Sequence, residues 1–337
     1  MTEPADGPTA GGLDAEAMLR AARRPLVIGM GGGGDVVGAL ATAEHAARYD
    51  RSEPIVGGLS WERRPIDPLP GPRTEAEIGD ARRLAAGVLL AGPDTHIRGP
   101  GTRFGESHMA AFLGRETVLV TLDGGAPAIA AGLQTAMQTL GSDLLVLVDV
   151  GGDVLAQGAE PGLRSPLCDA IMLAAGDRLA AAGVPVLLGI FGLGCDAELT
   201  ADEVFARLAV VADAGGLAGM RGLTGPVADR LEAAMGLVTT EASAQAVRAF
   251  RGDSGPVTIR DGARTLQLST AAACTFFLAP RTAYATAGRL ARAVVDCPSL
   301  EAANAALNAL GVRTELDLEA DAAAAATAAA AAAANGV

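Results

Sequence analysis

Five strand-length apolar runs in this 337-residue sequence are continuous rather than alternating, and nothing else in it constrains the fold as strongly. They lie at 25–30 (PLVIGM), 54–59 (PIVGGL), 116–122 (ETVLVTL), 143–150 (DLLVLVDV) and 184–191 (VPVLLGIF). A strand with one wet face alternates apolar and polar residues, whereas a strand covered on both faces reads apolar throughout. Helical patterns separate the runs at roughly 36–49, 75–86, 126–140, 166–182 and 200–213. This βαβα order predicts an α/β fold, a doubly wound, mostly parallel, Rossmann-like sheet with helices on both faces. After Leu223 come two helices and then PVTIRDGARTLQLS, a hairpin turning at Asp261-Gly262. FFLAP and a last helix near 299–309 follow, so a C-terminal antiparallel hairpin or small accessory lobe is expected.

The expected organisation is a single domain over 21–318, with a nucleotide- or phosphate-binding half at about 21–142 and a second half at about 143–318. Residues 1–20 are small and polar and read as a flexible arm. Residues 319–337 are Ala-rich and read as a disordered or frayed-helix tail, because they lack a polar/apolar period with which to dock. Both ends are set outside the functional region.

Composition then removes whole mechanisms. All 26 basic residues are arginine, so there is no Schiff-base lysine and no phosphate-clamping P-loop lysine. The only histidines are His45, His96 and His108, so a three-His zinc site would consume all of them. The net charge of −13 and the lack of a clustered basic surface argue against nucleic acid and anionic membrane as partners. No run of about 18 apolar residues is present. Cys168, Cys195, Cys274 and Cys297 share no CxxC-like spacing and read as reduced thiols, which suits a cytoplasmic location. The expected partner is a small-molecule substrate, with a homodimer compatible with the Ala/Gly-rich surface.

In an open parallel sheet, ligands gather at the carboxyl ends of the strands. The first run ends in Gly29-Met30-Gly31-Gly32-Gly33-Gly34-Asp35, which contains GxGxxG at Gly29, Gly31 and Gly34 between a strand and a helix. Such a loop either cradles a phosphate with backbone amides or serves close helix–sheet packing. Glu62, after the second run, stands where a dinucleotide site has its ribose-binding acid, although 28 residues past Gly34. Asp35 repels a bare phosphate unless a cation intervenes or it caps the helix. The loop also resembles the SGGxDS loop of ATP pyrophosphatases, with Gly31 in place of the serine and Val36 after the aspartate.

The later strand ends carry Asp123, then Asp149 and Asp153 in VDVGGDV, and Asp196 after Cys195. Convergent carboxylates suit Mg²⁺ with retained waters, or acid–base work once proximity separates their pKa values. A structural alternative has Asp153 capping a short helix and Asp149 binding loop amides. Ser165-Pro166 reads as a helix cap with Pro at the first helical position, and Arg164 just before it is placed to clamp a substrate anion. His108 or His96 is a candidate general base near neutral pH, whereas His45 reads as an exposed helix residue.

The blocks GMGGGGDVVGA, WERRPIDPLPGPR, VDVGGDVLAQGAEPGLRSPLCDA and GIFGLGCDAELT together resemble the archaeal and actinobacterial family called domain of unknown function 1152, from about Pro25 to Leu318. The resemblance implies a cytoplasmic α/β protein and transfers no reaction. It implies that Glu62, Asp67, Asp149, Asp153, Arg164, Asp169 and Asp196 belong to the family's recurring blocks.

The functional expectation is an enzyme that acts on a small phosphorylated or nucleotide-like substrate by Mg²⁺-assisted transfer or lyase chemistry. Asp149, Asp153, His108 and Asp196 are its candidate catalytic residues, with Asp149 and Asp153 holding metal. Gly29, Gly31, Gly32, Gly33, Gly34, Asp35 and Glu62 are placed at the nucleotide or cofactor. Arg63, Asp67, Asp123, Arg164 and Asp169 are placed at the substrate. A nicotinamide (NAD(P))-dependent oxidoreductase and a non-catalytic nucleotide or metabolite sensor are the alternatives.

Overall fold

Each of the five apolar runs forms a strand, and together they make the parallel centre of one nine-stranded sheet. The computed structural model describes residues 13–335. The chain begins α1 (Ala15–Ala21), β1 (Pro25–Gly29), α2 (Asp35–Ala46), β2 (Ile55–Leu59), β3 (Ile78–Ala85), β4 (Val88–Ile97), α3 (Gly105–Leu113) and β5 (Thr117–Val120). It continues α4 (Gly125–Leu140), β6 (Leu144–Val150), α5 (Pro166–Ala181), β7 (Val186–Phe191), α6 (Ala201–Asp213), β8 (Leu217–Gly222), α7 (Gly225–Met235) and α8 (Ala242–Phe250). It ends β9 (Gly255–Ile259), β10 (Arg264–Leu268), β11 (Cys274–Leu278), α9 (Pro280–Thr286), α10 (Arg289–Val294), α11 (Leu300–Ala309) and α12 (Glu315–Asn335).

The strand order is β3-β4-β5-β2-β1-β6-β7-β11-β8, parallel from β5 to β7 and antiparallel at both flanks. Leu26 of β1 is in register with Ile55 of β2 and Leu145 of β6. Both faces are dry. Leu26, Ile28, Leu145 and Leu147 share a core with Ile129 and Leu133 of α4 and Ile171 of α5. Val27, Val146 and Val148 pack on the other face with Leu40 of α2, Leu231 of α7 and Val247 of α8. Alternate residues therefore meet opposite apolar layers, which is why the runs do not alternate. Burying each such side chain contributes about 1.5–3 kcal/mol.

Three expectations need correction. The segment 75–86 is not a helix but a 3-10 turn at Glu75–Glu77 followed by β3. The apolar start of β4 pairs with β5 (Val88 with Val120, Leu90 with Val118), and β3 closes that edge. Its Arg82 and Arg83 are exposed and pair with Glu116 and Glu75, and charge on an edge strand opposes further strand addition. The expected arm 1–20 is helical over Ala15–Ala21, with Asp14 accepting the Ala17 N–H at 3.1 Å and Leu19 buried, while 1–12 lie outside the described residues. At the other end, α12 begins at Glu315 and docks by its first turns, so the boundary at 318 falls within a helix. The C-terminal antiparallel expectation divides in two. Strands β11 and β8 extend the main sheet, and β9 and β10 form a separate hairpin. Among the described residues, no helix is long and apolar enough to cross a membrane.

Candidate functional site

Strand order reverses at β1, which leads outward to β2 and β5, while the chain returns to lay β6 and β7 on the other side. Loops leaving the carboxyl ends of β1 and β6 therefore diverge and open a crevice. A cleft of about 480 Å³ occupies it, with the Gly31–Gly34 loop and Asp35 on one wall and Asp153, Asp169 and Asp196 on its floor.

The floor is built from two strand ends, those of β6 and β7, and the start of helix α5. Carboxylate oxygens of Asp149, Asp153 and Asp169 lie within 4.8 Å of one another, as do those of Asp153, Asp196 and Glu198. The two groups differ in what is already bound. Asp149 Oδ2 accepts the Val154 N–H at 3.2 Å and closes the turn after β6. Asp153 Oδ2 and Asp169 Oδ1 are buried without a hydrogen-bond partner among the described residues, and Asp153 makes no capping bond, so the alternative capping role does not fall to it. Glu198 is fully engaged: it accepts from Arg164 N at 2.6 Å, Ser165 N at 2.8 Å, Ser165 Oγ at 2.7 Å and Arg264 Nη1 at 3.0 Å. Ser165 thus serves Glu198 instead of capping α5. Gly151 lets the turn approach Asp196, since a Cβ there would lie 2.3 Å from the Asp196 carboxyl carbon. Unpartnered oxygens in this cluster therefore fall on Asp153 and Asp169, beside Asp149.

Burial, followed by neighbouring carboxylates, keeps these acids from ionising together. It raises Asp149 to about 7 and holds Asp153, Asp169 and Asp196 well above the ordinary carboxylate range. Asp35 is pushed up to about 8 by burial and then by Asp149.

The glycine loop combines packing and binding geometry. A Cβ on Gly29 would meet the Asp35 carbonyl carbon at 2.4 Å, so Gly29 serves the close seating of α2 on β1 and is not among the cleft-lining residues. Gly32 and Gly33 turn through φ +79° and +54°, which suits glycine, and bring the loop over the cleft. Asp35 is the first residue of α2 rather than its cap, and its Oδ2 accepts the Gly31 N–H at 3.0 Å. The N–H groups of Gly32 and Gly34 have no acceptor among the described residues.

Arg63 lines the cleft, but its guanidinium is already engaged within the chain. Its Nη2 donates to Gly31 O at 2.7 Å, its guanidinium lies 3.5 Å from Glu315 and 3.6 Å from Glu319, and it stacks 4.3 Å from the Trp61 ring. Burial opposes its charge, but Cys168, Glu315, Glu319 and Asp169 keep it firmly protonated. Arg63 therefore braces the glycine loop against α12. Glu62 follows β2 as expected, yet its Oε1 accepts the Gly105 N–H, and burial raises it to about 7. Behind it, both carboxyl oxygens of Glu106 are buried without partners among the described residues, and burial and then Glu62 hold that acid well above its ordinary value.

Four further sequence candidates lie off the floor. His108 lines an adjoining pocket of about 180 Å³ with Glu62 and Arg103, and burial lowers its pKa. Asp67 pairs with Arg73 at 2.8 Å and accepts the Leu69 N–H at 3.0 Å, so it holds its own loop. Asp123 is exposed before α4 and is not among the cleft-lining residues. Arg164 lies at the mouth, where Nη1 is held by the Pro161 and Leu163 carbonyls. His96 is half-exposed at the edge hairpin, and His45 is buried rather than exposed, 2.9 Å from Tyr49 Oη.

Sequence reasoning missed Glu106, Glu198, Glu315 and Glu319. Glu315 accepts the Leu167 and Cys168 N–H groups at 2.9 Å each and so caps α5 from the far end of the chain. Glu319 accepts from Trp61 Nε1 at 2.9 Å and Gly71 N at 2.8 Å. The acids in ELDLEAD were the available signal, masked by the Ala tract that follows them.

A family model described as "Protein of unknown function (DUF1152)" matches residues 26–323, reaching past Leu318 into α12. No curated protein and no solved structure matches the chain.

Proposed function

The chain belongs to the DUF1152 family, and from the chemistry of its cleft we propose that it is an enzyme that binds a divalent cation, Mg²⁺ by ligand type, and acts on a small phosphorylated substrate by transfer or lyase chemistry. The observation that carries this reading is the pair of buried, unpartnered oxygens, Asp153 Oδ2 and Asp169 Oδ1, beside Asp149 in one cluster. A buried carboxylate oxygen with no donor is costly, and a cation with oxygen ligands removes that cost. An acidic floor repels phosphate, so the cation also supplies the attraction that the floor lacks.

In this reading Asp149, Asp153 and Asp169 hold the cation, and Asp196, packed against the same cluster, moves a proton. The free N–H groups of Gly32 and Gly34 face the phosphate from the other wall. Asp35, raised to about 8, stands as an acid beside that phosphate. A nicotinamide cofactor receives less support, because the ribose-binding acid of that reading, Glu62, already accepts from Gly105. Thermal shift with Mg²⁺, inorganic phosphate and both together tests the proposal. Cooperative stabilisation by the pair, lost in Asp153→Asn, supports it, and stabilisation by phosphate that ignores Mg²⁺ and Asp153 contradicts it.

A further inference from the structure

Beside the cleft lies a second cavity of about 260 Å³, walled on one side by α12. Arginines from three separate chain segments converge on it: Arg63 and Arg64 after β2, Arg164 before α5, and Arg260 and Arg264 from the β9–β10 hairpin. Arg64, Ser165 and Arg260 line both cavities, so the second is the mouth of the first. Like charges brought together from distant segments repel unless something compensates them.

Three of the five are compensated within the chain, Arg63 by Glu315 and Glu319. Arg264 lies 3.0 Å from Glu198, and Arg260 lies 3.4 Å from Glu241. Neither Arg64 nor Arg164 forms an ion pair among the described residues, and Arg64 makes no side-chain hydrogen bond. Arg164 is anchored at Nη1 by the carbonyls of Pro161 at 3.0 Å and Leu163 at 2.7 Å, while Nε and Nη2 are unused. A guanidinium pinned at one nitrogen offers its remaining edge to an anion with little further loss of freedom. The acids in the wall are committed elsewhere: Glu198 to Arg264 and Ser165, and Glu315 and Glu319 to Arg63.

The floor and the mouth thus make opposite demands. The floor takes an anion only through a cation, whereas the mouth takes one directly. We infer that the substrate carries two separated anionic groups, a phosphate that reaches the floor and a second anion held at the mouth by Arg64 and Arg164. This rests on the proposed cation and phosphate site for the inner group, and on the arginine geometry alone for the outer one.

Calorimetric titration at fixed Mg²⁺ with alkanediol bisphosphates of increasing length, against the matching alkyl monophosphates, tests it. A bisphosphate of fitting length is expected to bind roughly tenfold or more tightly than its monophosphate. Arg64→Gln and Arg164→Gln, both at exposed positions, should each remove most of that gain and leave monophosphate binding unchanged. Equal binding of the two series at every length, or a gain that survives both substitutions, overturns the outer site. Asp153→Asn separates the two claims. If monophosphate binding ignores both Mg²⁺ and Asp153, the cation reading fails, while the arginine-dependent gain still decides the outer site.

Discussion

The indole Nε1 of Trp61 donates to Glu319 Oε2 at 2.9 Å, joining the loop after β2 to the last helix across 258 residues of sequence. The same carboxylate oxygen accepts from Gly71 N, and its partner oxygen faces Arg63. Trp61 is fully buried and is the only tryptophan, so its emission reports this junction alone. Glu319→Ala should cost about 1–3 kcal/mol of stability by leaving buried donors unpaired, and should shift Trp61 emission to the red. Unchanged emission and unchanged melting would show that α12 does not hold the loop.

Glu315 does more than Glu319, since it is buried, caps the first turn of α5 and faces the half-buried Arg63. Removing one partner of a buried ion pair typically costs about 3–5 kcal/mol. Glu315→Ala should therefore lower the urea midpoint further than Glu319→Ala, and the reverse order would contradict this division of roles.

How far the sequence could be read follows from where each residue's partners lie. Asp149, Asp153 and Asp196 were legible because each closes an apolar strand, and strand ends in a parallel sheet converge. Gly29 was legible as a glycine position but not as a packing one, because only its distance to the Asp35 backbone tells the two apart. The pairing of Arg63 was not legible because its acidic partners, Glu315 and Glu319, arrive from the other end of the chain. Asp123 looked equivalent to Asp149 in sequence, yet β5 lies away from the β1–β6 crevice and leaves it exposed. The edge strand β3 was read as a helix because charge on a solvated edge imitates the polar face of a helix.

Asp153 opposes folding in the cation-free protein, since its carboxyl is buried among Asp149, Asp169, Asp196 and Glu198 with one oxygen unpaired. Asp153→Asn should raise the melting temperature in chelator while removing the stabilisation by Mg²⁺. A variant less stable than the wild type in chelator would indicate a structural carboxylate.

A pH dependence follows from Asp35 and Glu62, whose folded values, about 8 and about 7, lie above the ordinary 3.8 and 4.5. A folded pKa raised above the unfolded value favours the protonated native state. That contribution is complete below the ordinary values and is lost as pH rises through about 7 and 8. Urea unfolding in chelator should accordingly show stability falling across this interval, with Asp35→Asn and Glu62→Gln each reducing the slope. A slope unchanged in both variants would rule these groups out.

The proposed chemistry depends on a cation held by Asp149, Asp153 and Asp169. Titrating the metal-free protein with Mn²⁺ as a paramagnetic stand-in for Mg²⁺, and following free Mn²⁺ by electron spin resonance, tests it most directly. Saturable binding is expected, which Mg²⁺ displaces, which Asp153→Asn and Asp169→Asn abolish, and which Asp123→Asn leaves intact. Undiminished binding in Asp153→Asn and Asp169→Asn, or no saturable binding in the wild type, would contradict it.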